Sequence, residues 1–136
     1  MVVSREVPME EYIQMAMEAR EKAYAPYSDY LVGACLVTKE GAVFTGCNIE
    51  NRALTPGNCA ERTAFFKAIS EGNKEFSRIV IVGGKRGKEL IRTTPCGVCR
   101  QVMVEFCDPE TFEVCVATGP RDYEVFKLKD LLPHAF

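Results

Sequence analysis

Two short stretches carry side chains that can do chemistry together: Asn58-Cys59-Ala60-Glu61-Arg62 and Pro95-Cys96-Gly97-Val98-Cys99-Arg100. Each reads as the start of a helix, so each aims side chains from a helix N-terminus toward one place. Together they offer three thiols and one carboxylate. Three protein ligands plus a water is how a catalytic zinc is held, whereas a structural zinc is closed by a fourth ligand. Glu61, two residues after Cys59, is badly placed as a fourth ligand and well placed as a base beside the water. The pattern therefore predicts a zinc centre on Cys59, Cys96 and Cys99, with Glu61 as proton shuttle. Two other readings stay open. With Asn58 as N-cap, Glu61 falls at the third helical position, where a capping box would use it only to satisfy a backbone N–H. The cysteines could instead form a structural zinc site, closed by Cys35 or Cys47, or a redox C-x-x-C pair.

The elements that must position these stretches follow from periodicity and punctuation. Met9, Ile13, Ala16, Met17, Ala19 and Ala23 recur at helical spacing, which predicts an amphipathic helix over roughly 9–23. Pro8 suits its first turn, and Pro26 stops it. Residues 31–38 read as a buried strand, Lys39-Glu40-Gly41 as a turn and 43–48 as a second strand. The short connection makes that pair antiparallel. The Glu61 helix runs on through Ala64, Phe65, Ala68 and Ile69 to Gly72. Ile79-Val80-Ile81-Val82 is a continuous apolar run, as for a strand covered on both faces. Residues 83–88 lack the spacing of a phosphate-binding loop and read as a mobile surface loop. The second cysteine helix shows Val98, Val102, Met103 and Phe106 on one face. Residues 112–118 and 123–128 read as a fourth and fifth strand, and 129–132 as one helical turn stopped by Pro133.

Bulk properties narrow the class. A chain of 136 residues predicts a single domain spanning 1–136. Its net charge of −2, without a basic cluster, argues against a nucleic-acid partner. No apolar run approaches the roughly 20 residues of a membrane span. Residues 1–6 lack the apolar centre of a signal peptide, so a cytoplasmic location is expected. Seven cysteines without an export signal argue against a disulfide framework. Cys35, Cys47, Cys107 and Cys115 read as small buried hydrophobes. His134 is the single histidine, which excludes a histidine-rich metal site.

Beyond these local readings, C-N-I-E-N at 47–51, N-C-A-E-R-T-A at 58–64 and P-C-G-V-C-R-Q-V at 95–102 resemble the cytidine deaminases of the small, homotetrameric, three-cysteine type. Tyr24-Ala25-Pro26-Tyr27-Ser28 and Leu131-Leu132-Pro133 match as well, and the resemblance runs from about residue 9 to the C-terminus. It implies an α/β fold: a three-layer α-β-α sandwich with a five-stranded mixed sheet of order 2-1-3-4-5. It implies one Zn2+ per subunit and hydrolysis of cytidine and 2′-deoxycytidine to the uridines and ammonia, in pyrimidine salvage. It assigns the ribose hydroxyls to Asn48 and Glu50, and the pyrimidine to backbone groups of Ala60 and Thr94. Arg62 would hydrogen-bond ligand thiolates. Phe136 would reach a neighbouring subunit's site and pack on the base, so the sites of a homotetramer are completed in trans.

Three residues depart from the family pattern. Tyr30 stands where a phenylalanine usually lines the base pocket. Arg52 and Leu54 replace the commoner alanine and tyrosine in a loop that faces substrate and neighbouring subunits. These changes bear on substrate preference, and a related deaminase acting on a modified nucleoside, a nucleotide or a cytosine-containing antibiotic is the alternative. Arg52 would favour an anionic group or make a subunit contact.

Overall fold

Phe76–Lys85 is the central strand of a five-stranded sheet, and its four apolar residues show why. Ile79 and Ile81 point to one face and Val80 and Val82 to the other, and all four are fully buried. Alternate side chains of a strand leave opposite faces, so a run without polar residues needs a cover on both. The computed structural model describes residues 7–136. In chain order the elements are α1 (Met9–Arg20), β1 (Tyr30–Thr38), β2 (Val43–Cys47), α2 (Ala60–Ser70), β3 (Phe76–Lys85), α3 (Gly97–Phe106), β4 (Glu113–Ala117), β5 (Tyr123–Lys127) and α4 (Leu128–Leu131).

The sheet order is β2-β1-β3-β4-β5, as the resemblance implies. Among the five named strands only β3 and β4 pair in parallel, in register Ile79 to Val114 and Val82 to Ala117. Two cores flank the sheet. On one face Tyr12, Ile13 and Ala16 of α1 cover Cys35, Val37, Val80, Val82 and Cys115. On the other, Ala64 and Phe65 of α2 and Met103 of α3 cover Leu36, Ile79, Ile81, Val114 and Val116. Phe65 sits edge-on to Phe76, with ring centroids 5.1 Å apart. Burying such a side chain is worth about 1.5–3 kcal/mol.

The topology explains why the two cysteine stretches meet. β1 is antiparallel to both β2 and β3, so β2 and β3 run in the same direction. Their C-terminal ends therefore lie at the same end of the sheet. α2 follows β2 and α3 follows β3, and both helices pack on the same face. Their N-termini are thus brought to one end of one face, far apart in sequence but adjacent in space.

Several boundaries differ from the sequence-based expectation. α1 ends at Arg20, not near 23. Residues 21–23 form a turn, and Tyr24 N–H then donates to Asn48 O, so the chain leaves the helix to pair with the segment after β2. Val98 is exposed, and the buried side of α3 is carried by Cys99 and Met103. Gly83 and Gly84 are not in a mobile surface loop. They are buried within β3, and the chain doubles back over residues 86–88 to lay the following segment against them. Ile91 N–H donates to Gly83 O at 2.8 Å. A Cβ on Gly83 would stand 2.4 Å from Thr93 Oγ1, and one on Gly84 2.7 Å from Glu89 O, so this close approach needs glycine at both positions.

The signal-peptide reading rests on residues 1–6, which lie outside the described residues. Among the described residues no helix is long and apolar enough to cross a membrane. All seven cysteines are free thiols.

Candidate active site and metal centre

Cys59 is the N-cap of α2, Cys96 is the N-cap of α3, and Cys99 lies in the first turn of α3. Both caps are extended, and their carbonyls accept the first helical bonds, from Thr63 and Arg100. Asn58 is therefore not the cap that the sequence predicts. Its backbone pairs with Ile49, and its side chain donates to Thr63 Oγ1 at 3.2 Å. Glu61 falls at the second helical position, and no side chain caps the helix, which removes the capping-box reading.

The three sulfurs lie within 4.8 Å of one another, with Cys59 and Cys96 3.8 Å apart and Cys96 and Cys99 3.5 Å apart. Tetrahedral thiolates about 2.3 Å from one zinc stand about 3.8 Å from each other. The donor set thus fits a single zinc. Among the described residues no fourth histidine, cysteine or carboxylate joins this cluster, so neither Cys35 nor Cys47 closes it. A zinc held by these three thiolates alone would keep its fourth position for a water, as a catalytic zinc requires.

The surrounding charges suit thiolates. The N-termini of α2 and α3 bring free N–H groups and partial positive charge to the sulfurs. Arg62 Nη2 donates to Cys59 Sγ at 3.3 Å, while its Nε is buried without a partner. Cys59 is pulled down to about 5, chiefly by the neighbouring Cys99 thiol; burial opposes this and Arg62 assists it. Glu61 is only 4% exposed. Burial pushes its carboxyl up to about 7, and the Cys59 charge adds to this, while its own backbone N–H, Cys99 and Arg62 offset part of it. Such a carboxyl can take and return a proton near neutral pH.

A cleft of about 620 Å³ opens over this cluster. Cys59, Cys96, Glu61, Arg62, Ala60 and Thr94 line it, and so do Asn48, Glu50 and Leu54. Asn48 is held at both ends by β1: its Oδ1 accepts from Val32 N–H and its Nδ2 donates to Tyr30 O, each at 2.8 Å. One N–H and one lone pair of that amide remain for a ligand. Glu50 accepts from the backbone N–H groups of Tyr27 and Ser28 and from the Ser28 hydroxyl. The Ser28 hydroxyl is the main reason its carboxyl lies below the ordinary range.

Two expected residues are not on this wall. Tyr30 is absent from the lining and reaches it through a hydrogen bond between its hydroxyl and Thr93 Oγ1. Phe136 is fully exposed and does not line the cleft of its own chain. Sequence reasoning gave no role to Tyr27, Ser28, Val32 or Thr93, which do line it. Ser28 could have been noticed within Tyr24-Ala25-Pro26-Tyr27-Ser28, although nothing local links it to Glu50. Thr93 carried no signal, because its place depends on the two glycines of β3.

Residues 7–115 match the family model for the cytidine and deoxycytidylate deaminase zinc-binding region. The chain belongs to the cytidine deaminase family. A cytidine deaminase of Sporosarcina psychrophila is 44% identical over 128 residues, covering 94% of this chain and 90% of the relative. A probable cytidine deaminase of Dictyostelium discoideum is 42% identical over 128 residues, covering 94% of this chain and 83% of the relative. The crystal structure of a cytidine deaminase from Burkholderia pseudomallei superposes with a TM-score of 0.85 at 48% identity, covering 96% of this chain and all of that one. For a cytidine deaminase family member, Cys59, Cys96 and Cys99 are the cluster that suits the family's zinc-binding region.

Proposed function

We propose that this chain, as one catalytic domain over 1–136, is a zinc-dependent enzyme that hydrolyses cytidine and 2′-deoxycytidine to uridine and 2′-deoxyuridine, releasing ammonia. The observation that carries this reading is Glu61, buried beside the three-thiol cluster and lining the same cleft. Cys59, Cys96 and Cys99 would hold one zinc per subunit. A zinc held there would supply a water of lowered pKa, able to attack C4 of cytosine.

The chain's own groups do the rest. Glu61 accepts the proton that the water loses and passes it to ring N3. It then takes the proton of the new C4 hydroxyl and delivers it to the departing amino group. The oxygen of one water thus becomes the C4 carbonyl, its two protons end on N3 and in the ammonia, and one ammonia is released. Its carboxyl, already shifted toward neutrality by burial, suits this repeated exchange. The Arg62 guanidinium offsets the excess negative charge of three thiolates. Backbone groups of Ala60 and Thr94 face the base, and the free valences of Asn48 and the Glu50 carboxylate take the ribose hydroxyls. Glu50 favours a neutral sugar over a nearby phosphate. Tyr30 acts on this wall through Thr93, and Arg52 at the rim tunes preference.

Leu54, which lines the cleft, is 95% exposed, and Phe136 is fully exposed. Both fit a homotetramer in which the Phe136 of one subunit packs on the base in another. Pyrimidine salvage in the cytoplasm is the setting that fits such a substrate.

An ultraviolet assay with cytidine, deoxycytidine and their monophosphates tests the reading. Turnover of both nucleosides with little use of the monophosphates is expected. Zinc-loaded protein that leaves both nucleosides untouched would reject it.

A further inference from the structure

Arg100 ties the start of α3 to the end of α4. It lies one turn into α3, and its backbone N–H donates to Cys96 O at 3.0 Å. Its side chain turns back toward the start of the helix. Nε donates to Pro95 O at 2.7 Å, and Nη1 donates to Leu131 O at 2.7 Å. Pro95 is buried and immediately precedes Cys96. Leu131 is the last residue of α4, so its carbonyl is one of those a helix leaves without an internal partner. A guanidinium satisfies it and also favours the negative end of the helix.

The short tail beyond Leu131 gives this contact its importance. Leu132 N–H donates to Leu128 O at 3.1 Å. Pro133 and His134 form a turn, and among the described residues none of 133–136 makes a side-chain hydrogen bond or an ion pair to the rest of the chain. Pro133 restricts the backbone, and His134 holds a left-handed φ of 63°. The tail thus leaves its root at an angle set by this turn, with no side-chain tie to the body of its own chain. Five residues span at most about 17 Å, so a small rotation at the root displaces the tip by several ångströms.

We infer that Arg100 is a positioning residue for the C-terminal tail: it ties the peptide before Cys96 to the root of the tail, and so sets where Phe136 is delivered. The inference rests on the proposed completion of the site by a neighbouring subunit. It goes further in naming the group that aims the tail and in linking each chain's own cysteine loop to the site its tail enters. An arginine suits the task because two of its nitrogens reach two carbonyls at once. A lysine offers a single charged nitrogen on a flexible stem.

The test uses zinc-loaded Arg100→Gln and Arg100→Lys tetramers, so that a folding failure of the first leaves the second. Zinc content and assembly should match the parent. The KM for cytidine should rise about tenfold or more, since a misplacement of about 1 Å can cost a hundredfold, and kcat should fall less. Each variant is then exchanged with inactive Glu61→Gln chains. Mixed tetramers pair a correctly aimed tail with an intact Glu61, so the recovered activity should show nearly the parent KM. Phe136→Ala, exchanged in the same way, is the control. If Phe136→Ala recovers and the Arg100 variants do not, Arg100 does not aim the tail, although completion in trans stands. If neither recovers after verified exchange, completion in trans fails and this inference with it. An unchanged KM, or loss of zinc in both Arg100 variants, would overturn it as well; the latter would assign Arg100 to its own cysteine loop.

Discussion

Arg62 Nη2 stands 3.3 Å from Cys59 Sγ, one turn along the same helix. The contact answers an electrostatic problem. Three thiolates overcompensate a doubly charged zinc, and excess negative charge makes the metal a weaker acid. Two helix N-termini relieve part of the excess, and the guanidinium relieves more. Arg62→Gln should therefore weaken zinc retention or turnover about 10–100-fold, as for other partners of metal ligands. Chelator competition and steady-state rates measure both. Retention and rate within about twofold of the parent would reduce Arg62 to a surface-side arginine.

Glu61→Gln should keep the fold and the zinc and lose turnover. General acid–base catalysis alone is worth about 10²–10⁴-fold, and one carboxylate used several times can cost more. Metal analysis with a single-substrate assay is sufficient. More than about a tenth of the activity remaining would rule out the shuttle.

Cys99→Ala and Cys107→Ala form an informative pair. Both thiols are buried in the same core, but only Cys99 faces the other two sulfurs. Cys99→Ala should lose zinc, activity and some stability together, because metal binding is linked to folding. Cys107→Ala should keep zinc and show only a small cavity effect. Equal metal loss in the two would overturn the assignment.

In zinc-free protein the cysteines should separate by acidity. Cys59, held near 5, has a depressed value. The stability its thiolate contributes is present above the ordinary thiol range and is lost as pH falls through about 5. Cys35 and Cys107 are buried and pushed up to about 12. Iodoacetamide near neutral pH should label Cys59 well before Cys35 or Cys107, with peptide mass spectrometry as the readout. Uniform labelling would mean that the cluster does not favour a thiolate.

Glu50→Ala should leave zinc intact and raise the KM for nucleosides. Its carboxylate also accepts from Tyr27, Ser28 and the Ser28 hydroxyl, so the loop over 27–28 loosens at the same time. Free cytosine, which has no ribose, separates the two effects. A loss confined to nucleosides indicates a sugar contact. Unchanged kinetics on both substrates would make Asn48 and Glu50 mere loop supports.

Much of the site was legible because it is written in local chemistry. Cys59 and Glu61 lie within one turn, as do Cys96 and Cys99, and the types themselves imply a soft metal and a base. The strand in 79–82 was legible because a doubly covered strand cannot carry polar residues. Helix positions read less well at their ends. Asn58 has the chemistry of an N-cap, yet its backbone is spent on Ile49, and a cap is decided by dihedral angles as much as by residue type.

The remaining features required contacts across the fold. Gly83 and Gly84 look like chain breakers, but a missing Cβ serves a strand equally well when Thr93 and Glu89 crowd against it. Nothing near Arg20 in sequence announces that its guanidinium will be buried on the carbonyls of Leu31, Gly84 and Lys85. The Asn48 amide looks free in sequence, yet it extends the β1–β2 ladder to Tyr30 and Val32. Arg100 reads as a helix arginine until Leu131 is brought beside Pro95. By itself the sequence determined which residue types are able to hold a metal or move a proton and where the centre of each strand lies, because those properties belong to a residue and its near neighbours. Only the tertiary structure decided which buried polar groups find partners, because a desolvated donor is satisfied by whatever carbonyl the packing brings within reach.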